Sequence, residues 1–170
     1  MATETYLFQP AGKGLKQGFL MSDSSGNPVY EAKMEKMALL GAMQFEFINH
    51  LTGKTEAHKV GHTVTTETSG AISDIFSTNS RFKLDGQNIW DLLHEKGIRI
   101  ANRLAGGKLG MTYDVSLKGQ PLATLTSTTP GGKSLLTSKY CYDVTTEPEN
   151  IDLAFLVAFA IARTDQTLYS

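Results

Sequence analysis

Along most of this chain apolar and polar residues alternate in short runs, and only near the end does that rhythm change. Tyr6-Leu7-Phe8 opens as a short strand, followed by Pro10-Ala11-Gly12-Lys13-Gly14. Residues 18–22 and 28–34 flank the turn-rich Asp23-Ser24-Ser25-Gly26-Asn27, a spacing that predicts a hairpin. Period-two alternation places Phe19 and Met21 inward, against Tyr30, Ala32 and Met34. Residues 44–49 and 56–66 read as a second hairpin around Leu51-Thr52-Gly53-Lys54. The Thr/Ser/Gly-rich residues 65–73 read as a loop, and 76–84 as a further strand. Asp85-Gly86 then turns the chain into a short helix over residues 88–96, with Ile89, Trp90, Leu92 and Leu93 apolar and Gly97 as its stop. Residues 98–100, 111–117 and 121–127 follow as strands, and Lys118-Gly119 joins the last two. After a turn at Thr129-Pro130-Gly131-Gly132, residues 135–136 and 140–145 complete the β region. About ten short strands at such spacing favour a sandwich or a barrel.

The pattern then breaks. Residues 153–162 are apolar on every face, with Leu153, Phe155, Leu156, Phe159 and Ile161 interleaved with alanines. Leu and Ala favour helix, and no Gly or Pro interrupts the run. A helix without a polar face has to be enclosed by protein or by lipid. Spanning a bilayer takes about 20 apolar residues, and this run stops short between Asp152 and Arg163. The walls must therefore come from the strands. A helix is about 10 Å thick, which an eight-stranded barrel is too narrow to hold, whereas eleven-stranded cans do enclose one. Upstream, Thr146 with Glu149 has the capping-box spacing, and Glu147, Glu149 and Asp152 lie where the helix dipole favours negative charge. The expected fold is a closed antiparallel barrel around a buried C-terminal helix, in one domain spanning residues 1–170.

Composition narrows the function classes. Sixteen Lys and Arg against seventeen Asp and Glu leave a net charge of −1, so nucleic acid is not an expected partner. A single cysteine, Cys141, excludes an internal disulfide framework and suits a reducing compartment. The first residues lack the positive start and apolar core of a signal peptide. Cytoplasmic residence without a transmembrane segment is the expectation.

With these residues in place, the chain resembles the tubby-like superfold, which groups the tubby C-terminal domain, phospholipid scramblases and LURP-one-related proteins. Phe19-Leu20-Met21-Ser22-Asp23 through Gly26-Asn27-Pro28-Val29-Tyr30 is similar to the opening hairpin of LURP-one-related proteins. Gln44-Phe45-Glu46-Phe47 with Thr52-Gly53 resembles their next hairpin. Tyr113-Asp114-Val115 with Gly119 and Ala123, then Asn150-Ile151-Asp152-Leu153-Ala154 to Ala162, resemble their closing strands and helix. The resemblance implies a barrel of about twelve strands around the helix. It also implies anionic phospholipid head groups as a ligand class, since tubby domains bind phosphoinositides. The Pro-rich, cysteine-rich and acidic calcium-binding segments of scramblases have no counterpart here. No binding residue carries over.

Chemical motifs add little. His58 and His62 sit four apart in a strand-like run, which separates them by about 13 Å, too far to share an ion. Gly131-Gly132-Lys133-Ser134 lacks both the upstream Gly and the following helix of a phosphate loop, because Ser127 stands at the Gly position. Gly12-Lys13-Gly14 is a weaker match still. Cys141 lies between Tyr140 and Tyr142 with no nucleophile context and reads as a packed thiol. Trp90 reads as a core anchor. Around the first hairpin Lys16, Lys33 and Lys36 are offset by Glu35, a mixed surface without a cationic stripe. No catalytic residue, metal ligand or cofactor site emerges. The reading is a non-catalytic binding module for anionic phospholipid head groups or a protein partner. The alternative is an enzyme whose site is assembled from loops. A lipocalin-like carrier is disfavoured because the helix would fill the lumen.

Overall fold

Eight stretches of the computed structural model are described: residues 3–11, 18–36, 44–50, 58–67, 81–84, 87–104, 111–128 and 141–168. The first half supplies β1 (Glu4–Ala11), β2 (Gly18–Ser22), β3 (Pro28–Lys36), β4 (Gln44–Asn49), β5 (His58–Glu67), β6 (Arg81–Leu84) and β7 (Gln87–Asn88). Helix α1 (Ile89–Glu95) leads into β8 (Ile98–Leu104), β9 (Met111–Leu117), β10 (Gln120–Ser127) and β11 (Tyr142–Thr146). A 3-10 turn over Pro148–Asn150 feeds helix α2 (Ile151–Leu168).

Turn chemistry sets the local register. Asp23 accepts the backbone N–H of Ser25 at 3.0 Å and of Asn27 at 2.9 Å on one carboxylate oxygen, and Gly26 takes the positive φ of 86° that closes the turn. The hairpin it closes pairs Phe19 with Ala32 and Met21 with Tyr30. All four are buried, as alternation predicts. Lys118 and Gly119, at φ 50° and 83°, make the two-residue connection between β9 and β10.

All eleven strands belong to one antiparallel sheet, in the order β7-β6-β5-β4-β3-β2-β1-β11-β10-β9-β8. Two meanders are therefore joined where β1 pairs with β11, Tyr6 opposite Val144 and Phe8 opposite Tyr142. Register shifts in the β2–β3, β3–β4, β4–β5 and β9–β10 ladders add the local twist that lets so wide a sheet curl. The expectation of a closed barrel of about twelve strands needs correction. Among the described residues no ladder joins β7 to β8, so the sheet stays open at that seam. The reason lies in the connection. β7 and β8 are consecutive in the chain, and the segment between them is α1, which packs on β6, β7, β8 and α2. With Ile89 and Leu93 fully buried, that helix, not a further strand, follows β7 and packs beside both end strands of the sheet.

The enclosed helix is confirmed. Every side chain from Ala154 to Ala162 is buried. Phe155 and Phe159 lie one turn apart and share the Phe47 ring while meeting otherwise different partners. Phe155 packs on Phe8, Tyr30 and Phe47 at 5.4, 4.5 and 5.4 Å between centroids. Phe159 packs on Phe19, Phe45 and Phe47 at 5.7, 5.2 and 5.4 Å. Most of these pairs are edge-on, the arrangement that aromatic quadrupoles favour. Among the described residues no helix is long and apolar enough to cross a membrane.

Three further expectations change. Residues 65–67 belong to β5, in keeping with the strand read over 56–66 and against the start of the loop read over 65–73, the rest of which lies outside the described residues. The short helix runs from Ile89 to Glu95, with Asn88 as its cap accepting the N–H of Trp90 at 3.0 Å and of Asp91 at 3.2 Å. Thr146 does not cap α2. A bulge between Pro121 and Ala123 takes Leu122 out of the β9–β10 ladder, and the buried Thr146 hydroxyl donates to the Leu122 carbonyl at 2.7 Å. A buried carbonyl without a partner is costly, and Thr146 removes that cost.

At the start of α2, Asp152 ties the helix to the sheet. Its carboxylate accepts the amide of Asn49 at 3.2 Å and is hydrogen-bonded by the phenol of Tyr30. Burial, then the charge of Asp152 and that bond, hold the Tyr30 phenol far above its usual range. Tyr6 is pushed up to about 12 by burial and by its hydrogen bond to Glu4. Both phenols thus keep their protons more tightly in the folded chain than in the unfolded one, where tyrosine titrates near pH ~10. Their stabilising contribution is complete below that pH and is lost as pH climbs through the folded values. The expected result is a urea midpoint that falls as pH rises above about 10. Phenolate absorbance from Tyr30 should then appear only together with loss of circular dichroism. Full ionisation of all six tyrosines in a still-folded chain would contradict this.

Candidate functional site

Because α2 fills the interior, any site must lie at the surface, at a rim or along the open seam. The described residues hold a cavity of about 450 Å³ at the seam. Helix α1 contributes Trp90, Leu93 and His94, strand β8 contributes Ile98, Arg99, Ile100 and Asn102, and β9 contributes Tyr113. The volume lies in the range of small-molecule sites, about 300–1,000 Å³.

Local structure explains the lining. Residues 90, 93 and 94 are neighbours on one face of α1, whereas Asp91 and Glu95 lie at about 100° or more from Trp90 around the helix. On β8 the pairs Ile98–Leu117, Ile100–Val115 and Asn102–Tyr113 place residues 98, 100 and 102 on the sheet's buried face. Exposure nevertheless rises along that row, from buried Ile98 through half-buried Ile100 to exposed Asn102. Asn102 therefore meets solvent although it stands on that inward face. Leu93, Ile98 and Tyr113 are buried and form an apolar floor, and His94, Arg99 and Asn102 form a polar mouth.

Arg99 is held in place. Its Nη1 donates to the carbonyl of Ile98 at 2.8 Å and to that of His94, near the end of α1, at 3.4 Å. A cation there also suits the negative end of the helix. Glu95, the nearest carboxylate in sequence, accepts the Gln87 amide at 2.8 Å on the far side of α1.

The candidates read from the sequence fall elsewhere. His58 and His62 lie on β5, and no cluster of potential metal ligands occurs among the described residues. Gly12-Lys13-Gly14, Lys16 and Gly131-Gly132-Lys133-Ser134 lie outside the described residues. Lys33 is exposed on β3, and the side chains of Glu35 and Lys36 are outside the described set. Cys141 is a buried thiol just before β11. Trp90 packs against the core, as expected, and lines the cavity as well. Arg99 and Asn102 were not singled out by sequence, and Tyr113 entered only within the Tyr113-Asp114-Val115 segment of the resemblance. One signal was available: the row Ile98, Ile100, Asn102 places a polar residue at an inward step of an apolar alternation.

No protein-family model, curated protein or solved structure matches this chain. Its chemistry has to be read from its own residues.

Proposed function

We propose that the chain is a non-catalytic binding module of the tubby-like kind, nearest in pattern to LURP-one-related proteins, acting on anionic phospholipid head groups at its outer surface or rims. The observation that carries this reading is the occupied interior: Phe155 and Phe159 fill the space a lumenal ligand would need. The resemblance of the opening hairpins and of the closing helix supports the same architecture and ligand class. Attraction to an anionic surface contributes about 1 kcal/mol per well-placed Lys or Arg. With opposing charges nearly balanced across the chain, binding should be weak and should weaken further with salt.

Sedimentation with anionic and with neutral vesicles tests the proposal. Enrichment on anionic vesicles that falls as salt is raised is the expected result. Equal behaviour on both vesicle types would turn the reading toward a protein partner at the same surface. Turnover in a broad hydrolase screen, abolished by one point substitution, would replace it with the alternative of a loop-built enzyme site.

A further inference from the structure

Resting on the binding-module reading, we infer that the seam cavity takes a small amphipathic carboxylate, with its apolar body between α1 and β8 and its anionic end at Arg99. Shape comes first. The floor of Leu93, Ile98 and Tyr113 is buried and apolar, and Trp90 and half-buried Ile100 extend it toward the mouth. Such a surface gains by covering an apolar body.

The polar groups at the mouth select the other end of the ligand. Arg99 uses Nη1 to hold two carbonyls, and its remaining N–H donors can meet an oxyanion in the fork geometry that carboxylates match. The arm is already anchored, so less side-chain entropy is lost when a ligand arrives. Asn102 adds an exposed amide on the inner face of β8, whereas Arg99 starts from the opposite face and turns its guanidinium back to the Ile98 and His94 carbonyls, and His94 adds a ring at the rim. Of the carboxylates of α1, Glu95 is engaged by Gln87, and Asp91 lies about 100° from Trp90 around the helix. One fixed cation suits a single negative charge better than a phosphate dianion, which usually gathers several cations. An apolar floor under one anchored guanidinium is the chemistry of a medium-chain or aryl carboxylate.

Trp90 is the sole tryptophan, so its fluorescence reports occupancy of the cavity in the full chain. Octanoate should change that emission saturably. Octylammonium, with the same tail and the opposite charge, should act at concentrations at least about tenfold higher, as the loss of a charge-assisted pair implies. Arg99→Gln should weaken octanoate by a similar factor. Asn102→Asp, at an exposed position that leaves the Arg99–carbonyl bonds in place, should weaken it as well and guards against a folding artefact. No saturable response to octanoate, equal responses to the two tails, or unchanged affinity in both variants would overturn the inference. Displacement of octanoate by inorganic phosphate at equal concentration would also overturn it, showing an anion site indifferent to the apolar body. The two readings fail separately. Vesicle binding without any octanoate response removes only the carboxylate site, and chemical consumption of bound octanoate keeps that site while removing the non-catalytic reading.

Discussion

Phe155→Asp should leave no folded protein: insoluble material, or a soluble chain without near-UV dichroism or a cooperative melt. The ring it removes is fully buried and touches Phe8, Tyr30 and Phe47. Truncating a buried Phe alone costs about 3–5 kcal/mol. Burying an unpaired carboxylate adds several kcal/mol more. The sum reaches the ~5–15 kcal/mol that holds a domain of ordinary stability together. A carboxylate at this position would also stand three residues from Asp152, within reach of like-charge repulsion on one helix face. Phe155→Leu separates charge from shape, because it keeps an apolar side chain and should fold with a lower melting temperature. A soluble Phe155→Asp variant that melts like the parent would mean that the helix is not enclosed.

The second large effect is expected from the smallest change, Gly18→Ala. Gly18 begins β2 and pairs with Ala11 of β1. A methyl group there would stand 2.0 Å from the Ala32 carbonyl oxygen and 3.2 Å from its carbon. The obstacle is backbone of the neighbouring strand, so no rotamer change relieves it. Strand β2 or β3 has to move, and Phe19 moves with it, which disturbs its stack on Phe8 at 5.1 Å and its contact with Phe159. Overpacking of this kind costs about 1–3 kcal/mol, a fall of roughly 2–12 °C in melting temperature for a chain of this size. Gly26→Asn is the control. At φ 86° with nothing within 4 Å, Gly26 sits in a conformation that Asn tolerates, so that variant should melt close to the parent. Equal melting of the parent and the Gly18→Ala variant would show that β2 and β3 do not approach as closely as described.

Both effects trace to a fold that was partly legible in advance. The residues 153–162 run demanded enclosure by its composition alone, because a helix without a polar face has no stable place in water. Most strands announced themselves through alternation and turn residues, since a period of two and a Gly at positive φ are local properties. The Phe19, Met21, Tyr30 and Ala32 face could be assigned for the same reason, and it is buried. Helix α1 was legible too, from its apolar face and its Gly97 stop.

What the sequence could not decide was how the ends of the sheet meet. Closure depends on the curl accumulated over many ladders and on what fills the remaining gap, and neither leaves a local signature. Only the tertiary structure shows α1 lying between β7 and β8, with Ile89 and Leu93 turned into the core. Thr146 illustrates the same limit at one residue. Its spacing to Glu149 is that of a capping box, yet its hydroxyl goes to Leu122, a carbonyl freed by a bulge 24 residues away. The candidate site has that origin as well. Arg99 and Asn102 belong to no motif, and with Tyr113 they meet Trp90 and His94 only because β8 is an edge strand beside the seam helix. Local pattern therefore determined the elements and the buried helix, because periodicity and solvation act residue by residue. The open seam and its cavity were decided by tertiary packing, because a sheet's edges are defined only once all of its strands have found their partners.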